Sequence, residues 1–200
     1  ANDALETAIR LDPENWEVNK EVAFLTFRQG RIADSAPFFE KASSLMESDY
    51  HDPVMLMTCY SAMNRPDDLQ RVAKLAATRA EKAVAQDPSN GFALGSGSVA
   101  LAVMGDGARA KEWATRAVLI DPDNISMRYN LACTLIRQLG DANEAIETLA
   151  PFFDGINSRS LLRHMGVDPD LDPLRQDPRF HEMFETAKKR LGMSEAETDG

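Results

Sequence analysis

Asp-Pro occurs at Asp12-Pro13, Asp52-Pro53, Asp87-Pro88 and Asp121-Pro122, so the prolines are separated by 40, 35 and 34 residues. Proline cannot continue a helix and pushes the residue before it out of helical geometry. A punctuation mark at this period is the sign of helix–turn–helix units, each unable to bury its apolar face without a neighbour. Between the prolines the apolar residues recur at helical spacing. The segments run from Asn15 to a break at Gly30, Ile32 to Leu45, Val54 to Met63, Leu69 to Gln86, Gly91 to Met104, and on from Gly105-Asp106-Gly107 to Pro122. A fourth pair runs from Ile125 to Leu139, turns at Gly140-Asp141, and continues through Ala145 and Leu149. The expected fold is all-α, a right-handed α-solenoid of antiparallel helix pairs. The 40-residue interval is read as a polar insertion over 47–52, and Tyr50-His51 marks where a regular surface would be modified.

Small residues set the finer register. Ala110, Ala114, Ala117 and Pro122 are spaced four, three and five apart, as are Ala76, Ala80, Ala83 and Pro88; Ser35, Phe39 and Ala42 repeat the first part. Ala23, Ser98 and Ala132 stand eight residues into first helices, where two helices would cross. This pattern resembles the tetratricopeptide repeat over roughly residues 1–152. The resemblance implies a ligand-binding groove lined by the second, fifth, ninth, twelfth and thirteenth positions of each first helix. Counted from three residues past each proline, the candidates are Glu17, Lys20, Phe24, Phe27 and Arg28, then Met57, Tyr60 and Asn64, then Phe92, Val99 and Val103, then Tyr129, Cys133 and Arg137. Aromatic and Arg side chains on an exposed apolar face favour a protein or peptide partner. The carboxylate clamp of some arrays in that family is not expected, because Phe24 stands where Asn is needed.

The tail leaves the period. Residues 168–180 read Asp-Pro-Asp-Leu-Asp-Pro-Leu-Arg-Gln-Asp-Pro-Arg-Phe, and Asp177 before Pro178 marks a helix start that Gly192 ends. The expected organisation is residues 1–13 as the last helix of a truncated repeat, 14–152 as the array, 153–192 as a Pro-rich connector and capping helix, and 193–200 as a disordered tail. The chain is thus expected to be a piece of a longer protein. The tail, with Tyr129-Asn130-Leu131-Ala132-Cys133, is similar to the C-terminal repeat regions of bacterial signalling proteins. In that group such arrays follow an adenylate/guanylate cyclase, a winged-helix DNA-binding domain or a protein kinase. That similarity implies, as the alternative reading, a regulatory region that is inactive alone.

Charge and composition exclude several functions. The chain carries 22 basic and 32 acidic residues, a formal charge of −10, with no basic run, which disfavours nucleic acid and anionic membrane surfaces. Neither a membrane-spanning apolar run nor an export signal is visible, so a cytoplasmic setting is expected. Cys59 and Cys133 lie inside apolar helical patterns and read as buried thiols. Three histidines without ligand spacing give no metal motif, and Gly95-Ser96-Gly97 lies inside a helix rather than after a strand. No catalytic residue, cofactor or metal is expected. The remaining expectations are a non-catalytic scaffold, a partner segment that could come from the chain itself, and homodimerisation through the end left by the truncated first repeat.

Overall fold

The computed structural model describes residues 2–193; the expected tail over 194–200 lies outside them. The described residues form eleven α-helices and one 3₁₀ segment, with no strand among them. No helix among them is long and apolar enough to cross a membrane. The chain divides into two compact units, Ala1–Ala110 and Lys111–Gly200.

In the first unit α1 (Asn2–Leu11) is followed by α2 (Trp16–Arg28), α3 (Ile32–Leu45), α4 (His51–Ala62), α5 (Pro66–Gln86) and α6 (Gly91–Val103). Each of α2 to α5 packs on the next, and α4 also reaches α6. The core is built from small side chains, which let helices approach closely: Ala23, Ala42, Ala73, Ala76, Ala80 and Ala93 are wholly buried, with Phe39, Leu56 and Leu94 filling the spaces between. Ala23 and Ser98 are buried as their crossing positions require, and Cys59 of α4 is buried too, its Sγ 3.5 Å from Ser35 Oγ.

The turns explain the Asp-Pro punctuation and correct one part of it. Asp12-Pro13, Asp87-Pro88 and Asp121-Pro122 are each followed by any residue and then Asn. Asn15, Asn90 and Asn124 accept from the N–H groups of Val18, Ala93 and Met127, capping the next helix. Asp52-Pro53 has no such Asn and lies inside the first turn of α4; Tyr50 holds the N-cap position without a side-chain bond, and Asp49 before it accepts from the Asp52 N–H at 2.7 Å. First helices therefore open at Trp16, His51, Gly91 and Ile125, intervals of 35, 40 and 34. The extra length is not an insertion before α4. It is in α5, 21 residues against 14 in α3.

Asn64 occupies the left-handed position (φ 52°) that Gly30 and Gly105 fill after α2 and α6. In each of these turns the following N–H returns to a carbonyl five residues back: Arg31 to Thr26, Arg65 to Tyr60 and Asp106 to Leu101. Asn64 is thereby a turn residue.

The second unit holds most of α7 (Gly107–Ile120), then α8 (Ile125–Leu139), α9 (Ala142–Gly155), α10 (Arg159–Val167), the 3₁₀ segment Pro169–Leu174 and α11 (Pro178–Arg190). The segment expected as a Pro-rich connector, from residue 153, runs from the end of α9 through two further elements to α11. It contains α10, whose N-cap Ser158 accepts from the Leu161 N–H. Leu162, Met165, Leu171 and Leu174 join Leu149, Phe152 and Ile156 in one fully buried core. Phe153 meets Phe180 and Phe184 of α11 edge-on at 5.6 and 6.2 Å.

Candidate functional site

Helices α2, α4 and α6 of the first unit carry a continuous run of rings. Phe24 meets Phe39 edge-on at 5.1 Å and stacks on His51 at 5.4 Å. His51 meets Phe92 at 5.4 Å, and Phe92 meets Tyr50 at 5.7 Å. Phe27 joins through Phe39 at 6.4 Å. The run is half-buried along most of its length, and Phe92 ends it with 52 % of its surface exposed. Beside it lies a depression of about 340 Å³ lined by Trp16, Lys20, Asp49, Tyr50, His51 and Phe92 together with Met46 and Ser48.

The 46–50 loop that presents Tyr50 is held from beneath. Arg79 of α5, almost completely buried, donates to the carbonyls of Ser43, Met46 and Asp49 at 2.9, 3.2 and 2.8 Å and to Ser43 Oγ at 3.0 Å. A planar guanidinium with five donors is suited to gathering a helix end and a loop at once.

A polar cluster closes the floor. Trp16 Nε1 donates to Asp52 Oδ2 at 3.0 Å, and Lys20 Nζ lies 3.3 Å from Asp49, 3.8 Å from Asp52 Oδ1 and 4.6 Å above the Trp16 ring. Asp52 is fully buried and its Oδ1 has no hydrogen-bond partner. Burial, followed by the charge of Asp49, raises the Asp52 carboxyl to about 6. His51 is pushed below its ordinary value by burial and then by Lys20, which favours the neutral ring that stacks between Phe24 and Phe92.

The raised Asp52 value has a definite sign for stability. The folded state prefers the protonated carboxyl, so this contribution is complete below about pH 4 and is lost as pH rises through about 6. Asp52→Asn keeps an oxygen for the Trp16 indole and removes the buried charge. It is expected to stabilise the first unit at pH 7.5 by up to about 3 kcal/mol, from the rise of the carboxyl from 3.8 to about 6, and to flatten the pH dependence between 5 and 7. Urea unfolding followed by Trp16 fluorescence at several pH values checks this; a variant less stable than the parent at pH 7.5 contradicts it.

The structure gathers Lys20, Phe24, Phe27 and Phe92 of the expected groove residues into this one face. Arg28 is exposed at the end of α2, and Val99 and Val103 are half-buried on α6. Met57 and Tyr60 are core residues, 3 and 2 % exposed. Because Pro53 lies within α4, counting from it begins about one turn too late. Tyr60 donates to Glu40, which Arg71 also bonds at 2.8 Å, tying α3, α4 and α5 together. Trp16, Tyr50, His51, Asp49 and Asp52 were not reached by that count. Their signal is Asp49-Tyr50-His51-Asp52, acidic residues at a helix start directly ahead of an apolar run.

In the second unit, α8 presents Tyr129, buried Cys133 and Arg137 to residues of its own tail. The Tyr129 hydroxyl donates to Asp168, and Arg137 lies 2.9 Å from Asp170. Burial and then Asp170 push the Cys133 thiol up to about 12, so it is not a reactive thiolate.

No family model matches the chain, and no curated protein matches it. Among solved structures it is similar to YrrB, a TPR protein with an unusual peptide-binding site, at 17% identity over 94% of this chain and 93% of that one, TM-score 0.50. PilF of Pseudomonas aeruginosa matches at 17% identity over 92% and 77%, TM-score 0.51. The fold is that of tetratricopeptide-repeat proteins. A structure of MamA also matches, at 15% identity over 76% of this chain and 84% of that one, TM-score 0.49. The TPR fold agrees with the register of small residues at Ala23, Ser98 and Ala132, all buried.

Proposed function

We propose that the chain is a non-catalytic binding module that holds an extended protein segment against the aromatic face of its first unit. The observation that carries this reading is the unbroken ring run from Phe27 to Phe92 beside a depression of about 340 Å³, with Phe92 standing 52 % exposed. Exposed aromatic surface of this kind is where partner side chains find their anchors. The floor is pre-organised by Arg79 and Asp49, so little ordering opposes binding. YrrB, which shares the fold, is itself a peptide-binding TPR protein, which supports a peptide as the class of partner. The equivalent positions of α8 are already engaged by residues 168–170, which favours the first unit over the second as the site. None of the structures named above links the chain to a cyclase, a kinase or a winged-helix regulator.

Panning of random displayed peptides on the full chain tests the reading. The selected sequences should share spaced aromatic or aliphatic residues. As free peptides they should change Trp16 fluorescence in a Trp113→Phe background, which leaves Trp16 as the sole indole. Selection without convergence, or convergent peptides that leave Trp16 unperturbed, overturns it.

A further inference from the structure

The second unit contains a group of side chains that the peptide-binding reading does not use. The 3₁₀ segment brings the carboxylates of Asp168 and Asp170 against α8, where Cys133 Sγ and one oxygen of each lie within 4.8 Å of one another. Two carboxylates so placed are common without an ion. The thiol is the independent observation. Cys133 is 8 % exposed, unoxidised, and makes no hydrogen bond with the side chain or backbone of another described residue. A buried thiol facing two carboxylates is a poor apolar contact and an unused donor. His164 of α10 adds a fourth group, its Nε2 3.8 Å from Asp168 Oδ2.

We propose that Cys133, Asp168 and Asp170, with His164 as the fourth ligand, form a binding site for a zinc-class divalent cation. One sulfur, one imidazole nitrogen and two carboxylate oxygens make a tetrahedral donor set that zinc and cobalt accept, whereas magnesium and calcium prefer oxygen alone. Tetrahedral coordination places donor atoms roughly 3.4–3.6 Å apart, from metal–ligand lengths of about 2.0–2.3 Å. On binding, the Cys133 proton leaves to solvent and the thiolate takes the metal. The competing cation is Arg137, 2.9 Å from Asp170 and 45 % exposed, so that pair is largely solvated and yields readily; on Asp168 the metal competes with the Tyr129 hydroxyl at Oδ2 and with the Asp170 N–H, 2.9 Å from Oδ1. The consequence is structural: the ion joins α8, α10 and the 3₁₀ segment at one point. Spacing within the sequence hides such a site, because its ligands come from three elements.

Cobalt is the probe. The full chain, stripped with chelator, is titrated with cobalt chloride and followed by absorption. A thiolate-to-cobalt charge-transfer band and intense tetrahedral visible bands should saturate at one equivalent and bleach when zinc is added. Cys133→Ser should lose the charge-transfer band and Cys59→Ser should keep it. Asp170→Asn, at a partly exposed position that leaves folding intact, should weaken cobalt at least tenfold. Arg137→Gln, which removes the competitor, should tighten it severalfold. Absence of the band in the parent chain, a band that survives Cys133→Ser, or cobalt affinity unchanged by Asp170→Asn overturns the site. Peptide binding to the first unit is read separately through Trp16, so failure of one reading is not failure of the other.

Discussion

Arg79→Met is expected to destabilise the first unit by about 3–5 kcal/mol, the range for removing one partner from a buried charged network. Methionine replaces most of the volume but none of the donors. Three carbonyls, of Ser43, Met46 and Asp49, and the Ser43 hydroxyl lose their bonds together. A buried acceptor left without a donor costs about 1–3 kcal/mol, and partial entry of water offsets some of that total. Burial holds the Arg79 guanidinium below its ordinary value, so part of its desolvation cost is recovered as well. The effect on the site should exceed the effect on the helices. Without the staple the 46–50 loop keeps the Asp49 bonds to the Asp52 N–H and Lys20 and the Tyr50 bond to Asn90, and Tyr50 and His51 are less firmly fixed beside Phe92. Urea unfolding followed by Trp16 measures the loss; a change below about 0.5 kcal/mol, the level of an ordinary surface substitution, contradicts this role.

Leu171→Ala is the counterpart in the second unit. Leu171 is wholly buried in the 3₁₀ segment, among Leu149, Phe152, Leu162 and Leu174. Truncating a buried leucine costs about 2–5 kcal/mol, the upper end where the surroundings cannot collapse. The 3₁₀ segment packs on α8 and α9 in a core that α10 and α11 also join, and proline at 173 stiffens it, so little collapse is available. We expect about 3 kcal/mol, read by urea unfolding with Trp113 as the reporter in a Trp16→Phe background. If the tail were only a connector, the change would be a few tenths.

The repeat was legible because its determinants are local. Proline, Asn caps and small residues act within one turn of their own position, so Asp12-Pro13, Asp87-Pro88 and Asp121-Pro122 mark real helix ends. Asp52-Pro53 misled for the same local reason. Proline is tolerated in a first turn as well as before it, and only the missing Asn two residues later separates the cases. The count that started there moved Met57 and Tyr60 from core to surface. Phe24, Phe27, Lys20 and Phe92 were placed by register alone. Trp16, His51 and Asp52 were not, because their roles depend on contacts between distant helices, such as the Trp16 indole bond to Asp52 and the Phe24–His51 stack. The tail hid its packing behind its prolines. Leu162 and Met165, and Leu171 and Leu174, are each three apart, but the two pairs fall in two short elements of different kind, too short to display one period.

The account stands on the aromatic face of the first unit, and Phe92 is its most exposed member. The decisive measurement is the affinity of a selected peptide for the parent chain, Phe92→Ala and Leu119→Ala, the last altering a 75 % exposed leucine of the second unit. Loss of an aromatic anchor should cost about 2 kcal/mol, or roughly thirtyfold in Kd, while Leu119→Ala leaves Kd unchanged and both variants keep the parent's helicity and unfolding midpoint. Equal affinity for Phe92→Ala and the parent contradicts the account.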